Sequence, residues 1–132
     1  MKVVNAKPPN YDEIVAVFPN ALKRGVIFTY GDTIYVPSGV GVSPQLQRHE
    51  EVHSAQQKTL GVENWWGGYL KYSGFRYEQE LAAHIAEYEA WQGYGRVQRR
   101  VALKQISGRL ASKLYGSMVT KAQAKEAILA TK

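Results

Sequence analysis

The sequence predicts an α+β fold in which a small antiparallel sheet, formed by an N-terminal hairpin, packs on a predominantly helical core. Strand-like patterns are confined to the first forty residues, and helix-like patterns fill the rest of the chain. Hydrophobic residues make up 45% and charged residues 21% of the 132 residues, as in ordinary globular proteins. A chain of this length can bury one hydrophobic core but not two independent ones. We therefore expect a single domain over residues 1–132.

Two short segments near the N-terminus predict the hairpin. Residues 26–30 and 33–36 are rich in β-branched and aromatic side chains, which favour strands. They flank Gly31-Asp32, a two-residue link that suits a tight primed turn because glycine can adopt a positive φ angle. Upstream, residues 14–18 form an apolar run whose periodicity fits either a short helix or a third strand.

The segment after the hairpin carries the signals of a complete helix. Ser43 suits the N-cap position and Pro44 the first helical position, while Gly61 is a natural C-terminal stop. The helix should continue over residues 45–60. At about 100° per residue, the face expected to be buried consists of Leu46, His49, Glu50, Val52, His53 and Gln56. The face expected to be exposed consists of Arg48, Glu51, Ala55 and Lys58.

Helical patterns continue to the C-terminus. An aromatic helix weakened by paired glycines is expected over residues 63–72. Its two tryptophans are expected in the core, the alternatives being the lining of a pocket or a subunit contact. A longer helix over about residues 75–91 follows. Its bulky positions recur at steps of three and four, at Tyr77, Leu81, His84, Tyr88 and Trp91. Two amphipathic helices fill the remainder, the second over residues 120–130. The apolar positions of the first are Val97, Val101, Ile106 and Leu110.

His49, Glu50 and His53 form the pattern His-Glu-x-x-His within the first long helix. Residues four apart lie one above the other on a helix, so two imidazole nitrogens can converge on one tetrahedral zinc ion. Glu50 projects beside the first ligand, where it can take a proton from a water molecule bound to zinc. Because the chain has no cysteine, a metal must be held by His, Asp or Glu. The pattern predicts one zinc ion per chain, with Glu50 as the general base.

A third protein ligand is expected from the longer helix, which offers Glu78, Glu80 and His84. Glu78 and Glu80 lie about 200° apart on a helix and cannot both face the metal. Periodicity favours Glu78, which is nearer the centre of an apolar arc formed by Leu81, Ala82 and Ile85. The expectation that a metal ligand borders a cleft favours Glu80. His84 lies one turn later and can then form a hydrogen bond with the carboxylate of Glu80.

The segment Glu80-Leu81-Ala82-Ala83-His84 resembles the second motif of the gluzincin group of zinc metallopeptidases. That group carries His-Glu-x-x-His on one helix and a ligand glutamate on a following helix, in the form Glu-x-x-x-Asp or Glu-x-x-Ala-Asp. His84 stands where the group usually has aspartate. The similarity covers about residues 26–90 and is greatest to small single-domain metallopeptidases of bacteriophages and bacteria. In these, glutamines like Gln56-Gln57 follow the first motif, and an aromatic-arginine pair like Phe75-Arg76 precedes the second glutamate.

The resemblance implies a zincin-like helical core and a zinc-dependent peptidase of phage or bacterial origin that acts on peptide or protein substrates. The zinc ligands would be His49, His53 and Glu80, with one position left open for water, and Glu50 would pass the proton of that water to the leaving amine. Residues 33–36 would present a strand edge to an extended peptide. Candidate donors to the oxyanion are Tyr72, Tyr77, Tyr88, His84 and Arg76.

The sequence leaves two alternative functions open, one of which rests on the distribution of charge. Residues 1–92 carry eight Lys/Arg and ten Asp/Glu, whereas the basic, helical C-terminal third, residues 93–132, carries nine Lys/Arg and one acid. This excess can attract an anionic polymer, or it can be the solvated face of helices. One alternative is a nucleic-acid-binding protein that uses Arg96, Arg99, Arg100, Lys104, Arg109 and Lys113. The other is a zinc-binding protein without catalysis, in which the ion holds helices together.

The sequence also bears on where the protein is found. Its N-terminal segment lacks the apolar stretch of a secretory signal, and nowhere do eighteen apolar residues run together. We therefore expect a soluble, cytoplasmic protein without a membrane span.

Overall fold

The computed structural model describes residues 1–22, 25–112 and 117–130. These residues form three short strands and six α-helices, which confirms the predicted α+β class. The strands are β1 (Lys2–Val4), β2 (Phe28–Tyr30) and β3 (Thr33–Tyr35). The helices are α1 (Tyr11–Val17), α2 (Pro44–Leu60), α3 (Val62–Lys71), α4 (Ser73–Glu89), α5 (Arg96–Leu110) and α6 (Lys121–Leu129). None of the helices in these ranges has the length and apolar content needed to cross a membrane.

The predicted hairpin is formed by β2 and β3, which pair antiparallel with Thr29 opposite Ile34. Gly31 has a φ angle of 65°, whereas Asp32 does not take a positive φ, which is the pattern of a type II′ turn. The sheet is mixed, because β1 adds in parallel to the other side of β3 and makes β3 the central strand. The apolar run at 14–18 lies in and just after α1 and is not a strand.

Helix α2 has the predicted bounds and caps. The hydroxyl oxygen of Ser43 accepts a hydrogen bond from the backbone N–H of Leu46 at 3.1 Å. Gly61 ends the helix with a φ angle of 88°, which strains any residue with a side chain. The buried residues of α2 are Gln45, His49, Glu50, His53 and Gln57. All five are polar or charged, so this face needs hydrogen-bond or ionic partners inside the protein.

Hydrophobic side chains form two clusters. Helix α2 packs against α3, β2 and α4, which contribute side chains to these clusters. The first cluster consists of Ile14, Phe28, Trp65, Trp66 and Tyr69. The second joins α4, α5 and α6, and its buried members are Tyr88, Ala102, Leu103, Ile106, Leu110, Ala124 and Ile128. Both tryptophans of α3 are buried, so their expected core position is confirmed.

The packing face of α5 differs from the predicted one in its first half. Ile106 and Leu110 are buried as expected, but Val97 and Val101 are 69% and 49% exposed. The buried residues of α5 are Ala102, Leu103, Ile106, Ser107 and Leu110. All of them lie in the last nine residues of the helix, so the apolar residues of its first turns remain outside the core.

Gln57 joins α2 to the hairpin. Its fully buried carboxamide accepts a hydrogen bond from the N–H of Gly31 at 2.7 Å and donates one to the carbonyl of Thr29 at 2.9 Å. The carbonyl of Thr29 and the N–H of Gly31 are the groups with which a neighbouring strand would pair. The side chain of Gln57 therefore takes the place of a further strand at the outer edge of β2. The hydroxyl of Ser54 adds a hydrogen bond to the carbonyl of Gly31 at 2.7 Å. These contacts fix the position of β2 relative to α2.

We expect Gln57→Leu to lower the free energy of unfolding by about 2–3 kcal/mol, because leucine leaves the N–H of Gly31 without its acceptor in a part-buried site. Urea unfolding followed by tryptophan fluorescence measures the change. The matched control is Gln105→Leu, the same substitution at an exposed position of α5, which should change stability by about 0.5 kcal/mol or less. Equal effects of the two substitutions would contradict the role of Gln57.

Candidate metal centre

His49, His53 and Glu80 bring three potential ligand atoms together in a buried cluster that could hold a metal ion. The Nε2 atoms of the two histidines are 3.2 Å apart, and each lies 3.1 Å from Oε1 of Glu80. Two ligands bound at about 2.0–2.1 Å to a tetrahedral zinc ion lie about 3.3–3.4 Å apart. The triangle of ligand atoms is therefore close to the size that such an ion requires.

Glu80, and not Glu78, is brought to the histidines of α2. The side chain of Glu80 is buried, whereas Glu78 is exposed. Ala82, which belongs to the apolar arc that favoured Glu78, is exposed as well. The apolar arc of α4 therefore does not mark the helix face that meets the histidines of α2. Glu80 lies at the border of the cleft, which is the position expected of a metal ligand.

Gln56 orients the imidazole of His53. Nδ1 of His53 lies 2.9 Å from Oε1 of Gln56, so a proton on Nδ1 can be donated to this oxygen and Nε2 is left free for a metal. Gln56 is held in turn, because its amide donates to the carbonyl of Gln79 at 3.1 Å and its Oε1 accepts from Nε1 of Trp65 at 3.2 Å. The glutamine that follows the motif thus fixes one ligand of the cluster.

Glu87 orients the imidazole of His49 from the opposite side. Oε1 of Glu87 is 2.9 Å from Nδ1 of His49, and the other oxygen accepts a hydrogen bond from Arg109 of α5. Nδ1 of His84 also lies 3.0 Å from Nδ1 of His49. Burial and the neighbouring His49 lower the pKa of His84 to about 3, so its ring is neutral and its Nδ1 can accept a hydrogen bond from Nδ1–H of His49.

His49, His84 and Glu87 form a second group with ligand-like spacing. Arg109 already supplies a positive charge to Glu87, and the atom of His49 in this group is Nδ1, whose proton must be kept if Nε2 is to bind a metal. We therefore assign the second group to the orientation of His49, not to a second metal ion.

Tyr69 orients the carboxylate of Glu80. Its hydroxyl donates to Oε2 at 2.5 Å and leaves Oε1 for the two histidines. Sequence reasoning missed Tyr69, because it shares the helical spacing of Trp65 and Trp66 and stacks on Trp65 as a core aromatic would. Nothing in its local pattern separates the two roles.

Glu50 lies beside the triangle of ligand atoms and is not a corner of it. Its Oε2 is 3.7 Å from Nε2 of His49, and its Oε1 accepts a hydrogen bond from the hydroxyl of Thr29 at 2.8 Å. Thr29 belongs to β2, whose position Gln57 sets. The strand therefore holds the carboxylate of the expected general base.

The carboxylates of the cluster shift the pKa values of the groups that they face. Burial alone lowers the pKa of His49, but Glu50, Glu80 and Glu87 outweigh it and raise the value to about 10. Burial also lowers the pKa of His53, and the charge of Glu80 again outweighs it, so the net shift is upward. Burial raises the pKa of Glu80, whereas both histidines hold it well below its usual range.

The charges of the cluster are compatible with a divalent cation. As carboxylates, Glu50, Glu80 and Glu87 carry three negative charges, and Arg109 supplies one positive charge. Two further positive charges would balance the site, and buried charges are costly unless they are paired. Protons on the histidines can supply them, as the raised pKa values indicate, and so can one zinc ion.

A cleft of about 640 Å³ opens onto this cluster. Its floor contains His49, Glu50, His53 and Glu80, although each of these residues is at most 5% exposed. Its walls are mostly apolar and include Ile14, Val17, Phe18, Val26, Ile27, Phe28, Leu46 and Trp66. Further polar lining comes from Asn20, Arg109 and Ser112, among others.

The expected oxyanion donors and the expected substrate edge lie elsewhere. None of the five candidate donors is among the described residues that line the cleft. Arg76, for example, is buried and donates to the carbonyls of Tyr69 and Leu70. Residues 33–35 form the central strand, which pairs on both sides, so this strand has no free edge for a peptide. Residues 25–29, which lead into and form part of β2, line the cleft instead.

The basic residues of the C-terminal third have more than one role. Arg96, Arg100 and Lys104 are exposed at successive turns of α5. Arg99 donates to the carbonyl of Tyr94, and Arg109 is bound to Glu87 in the metal centre. Lys113 lies outside the described residues. Binding of nucleic acid through this helix stays a prediction. Arg109 is less available for it, because its guanidinium is paired with Glu87.

In comparisons with known proteins, no family model, curated protein or solved structure matches the chain. The geometry and chemistry of the site are therefore the basis on which a function can be argued.

We expect the protein to bind about one zinc ion per chain and Glu80→Ala to weaken binding by about 100-fold or more, because one corner of the triangle is lost. Competition with a chromogenic zinc chelator measures the affinity. Glu78→Ala is the matched control, an exposed glutamate two residues away on the same helix, and it should bind zinc like the wild type. Full affinity in Glu80→Ala, with loss in Glu78→Ala, would overturn the assignment of the third ligand.

Proposed function

We propose that the protein is a zinc-dependent peptidase of the gluzincin type, with His49, His53 and Glu80 as the residues that hold the ion. The observation that carries this proposal is the triangle of ligand atoms with a further carboxylate, Glu50, beside it. Structural zinc sites are usually closed by four protein ligands, whereas three ligands leave a position for water, as hydrolytic sites require. The cleft gives that position access to a substrate.

The residues around the cluster have distinct tasks in peptide hydrolysis. When bound, a zinc ion would polarise the scissile carbonyl and lower the pKa of a water molecule to about 7. Glu50 takes a proton from the water that attacks the carbonyl carbon and delivers it to the leaving amine as the C–N bond breaks. Thr29 holds Oε1 of Glu50, so that the carboxylate stays beside Nε2 of His49.

The cleft supports an extended peptide as the substrate. Its volume lies within the range of about 300–1,000 Å³ that is typical of ligand sites, and its apolar walls suit peptide segments with apolar side chains. Such segments are accessible in peptides and unfolded proteins and are buried in folded ones. We therefore expect cleavage of short or unstructured chains.

We expect Glu50→Gln to lower kcat by about 10²- to 10⁴-fold, the usual contribution of a general base, while zinc affinity stays within about twofold of the wild type. Cleavage of quenched fluorescent peptides measures the rate, and it should stop with a chelator and return with zinc. The control is Glu51→Gln, the adjacent glutamate on the outer face, which pairs with Arg48 at 3.4 Å.

Two outcomes would count against this function. A Glu50→Gln variant as active as the wild type would remove Glu50 as the base. A zinc-loaded wild-type protein that cleaves none of a varied peptide set would favour the alternative of a zinc-binding protein without catalysis.

A further inference from the structure

Arg109 is a cation in the cleft wall that the hydrolytic chemistry leaves partly unused. It comes from α5, outside the region that resembles gluzincins, and it lines the same cleft as His49 and Glu50. Its side chain is 47% exposed although it forms an ion pair with the buried Glu87. A guanidinium has five N–H donors, and within the described residues Glu87 is its hydrogen-bond partner. The remaining donors are available to a ligand in the cleft.

We propose that Arg109 binds a carboxylate of the substrate, so that the cleft selects peptides with a carboxylate close to the scissile bond. This inference rests on the proposed peptidase function and names its substrate class. The planar fork of a guanidinium matches the two oxygens of a carboxylate. Ser112 follows three residues later, lines the same cleft and offers a hydroxyl as a second donor.

The other charges of the cleft leave this role to Arg109. Among its described lining residues, Arg109 is the single lysine or arginine. The acidic lining residues, Glu50 and Glu80, are engaged by Thr29 and Tyr69. Glu87 contacts the guanidinium through a single oxygen, Oε2, because its Oε1 faces Nδ1 of His49.

The distance from the metal centre limits where the carboxylate can be. The path from Nε2 of His49 across its ring and through Glu87 to the nearest nitrogen of Arg109 is at most about 10 Å, and a carboxylate bound to the guanidinium lies about 3 Å further away. About four extended residues span this distance. Two sources fit within this limit. The group is either the C-terminal carboxylate of a short peptide or an aspartate or glutamate side chain near the cleaved bond.

The test measures binding, not cleavage, in zinc-loaded Glu50→Gln protein. Fluorescent peptides with one apolar sequence are prepared with a C-terminal acid or amide, and with internal Asp or Asn. We expect the peptide with the recognised carboxylate to bind about 10-fold or more tightly than its neutral partner. A preference in the acid and amide pair identifies the C-terminus, and one in the Asp and Asn pair identifies the side chain. Equal affinities in both pairs, in Glu50→Gln protein that is folded and holds zinc, would overturn the proposal.

Variants of α5 locate the preference. Arg109→Gln should reduce it to less than about twofold, whereas Arg100→Gln, an exposed arginine of the same helix outside the cleft, should keep it. Arg109→Gln also removes the ion pair with Glu87, but this loss changes the binding of the charged and the neutral peptide alike. The ratio of their two affinities therefore reports the recognition of the carboxylate alone. A preference that survives in folded Arg109→Gln would overturn the assignment. Because binding is measured without the general base, failure of the wild type to hydrolyse peptides would count against the proposed function alone.

Discussion

The polar packing of α2 against α4 is the constraint on which the rest of the structure depends. The buried residues of α2 are all polar or charged, and α4 buries Glu80, His84 and Glu87. Such groups cost free energy when they leave water unless each has a partner. The surrounding elements supply these partners: β2 contributes Thr29, α3 contributes Tyr69 and α5 contributes Arg109. The arrangement of the fold around the two helices is thus also the arrangement of the candidate metal centre.

Much of the fold and the two histidines of the cluster could be predicted because their signals are local. The caps of α2 lie next to the helix that they bound, and the spacing of His49 and His53 expresses the helical repeat. Tyr69 and Glu87 could not be found in this way. Their contacts with the cluster join residues 11 and 38 positions apart, and no pattern in one segment shows which side chain of another will reach it. Glu80 is an intermediate case, since the residues alone left it in competition with Glu78 and the resemblance to gluzincins favoured it.

The errors in the remaining elements have related causes. Periodicity shows which residues share a helix face, but not how far the neighbouring helix extends, and so Val97 and Val101 were placed in a core that covers only the later turns of α5. Strand β1 has three residues, none of them buried, and therefore lacks the alternation that marks a strand. Its pairing with β3 removes the free edge that residues 33–36 were expected to offer a substrate.

An open three-ligand zinc site between α2 and α4, with Glu50 beside it, can be examined in a crystal structure of the zinc-loaded protein, with anomalous scattering recorded at the zinc absorption edge. We expect one zinc ion bound by Nε2 of His49, Nε2 of His53 and a carboxylate oxygen of Glu80, at about 2.0–2.2 Å, with Glu50 not coordinated. A zinc ion held by His84 and Glu87, or one closed off by Glu50 as a fourth protein ligand, would contradict this expectation.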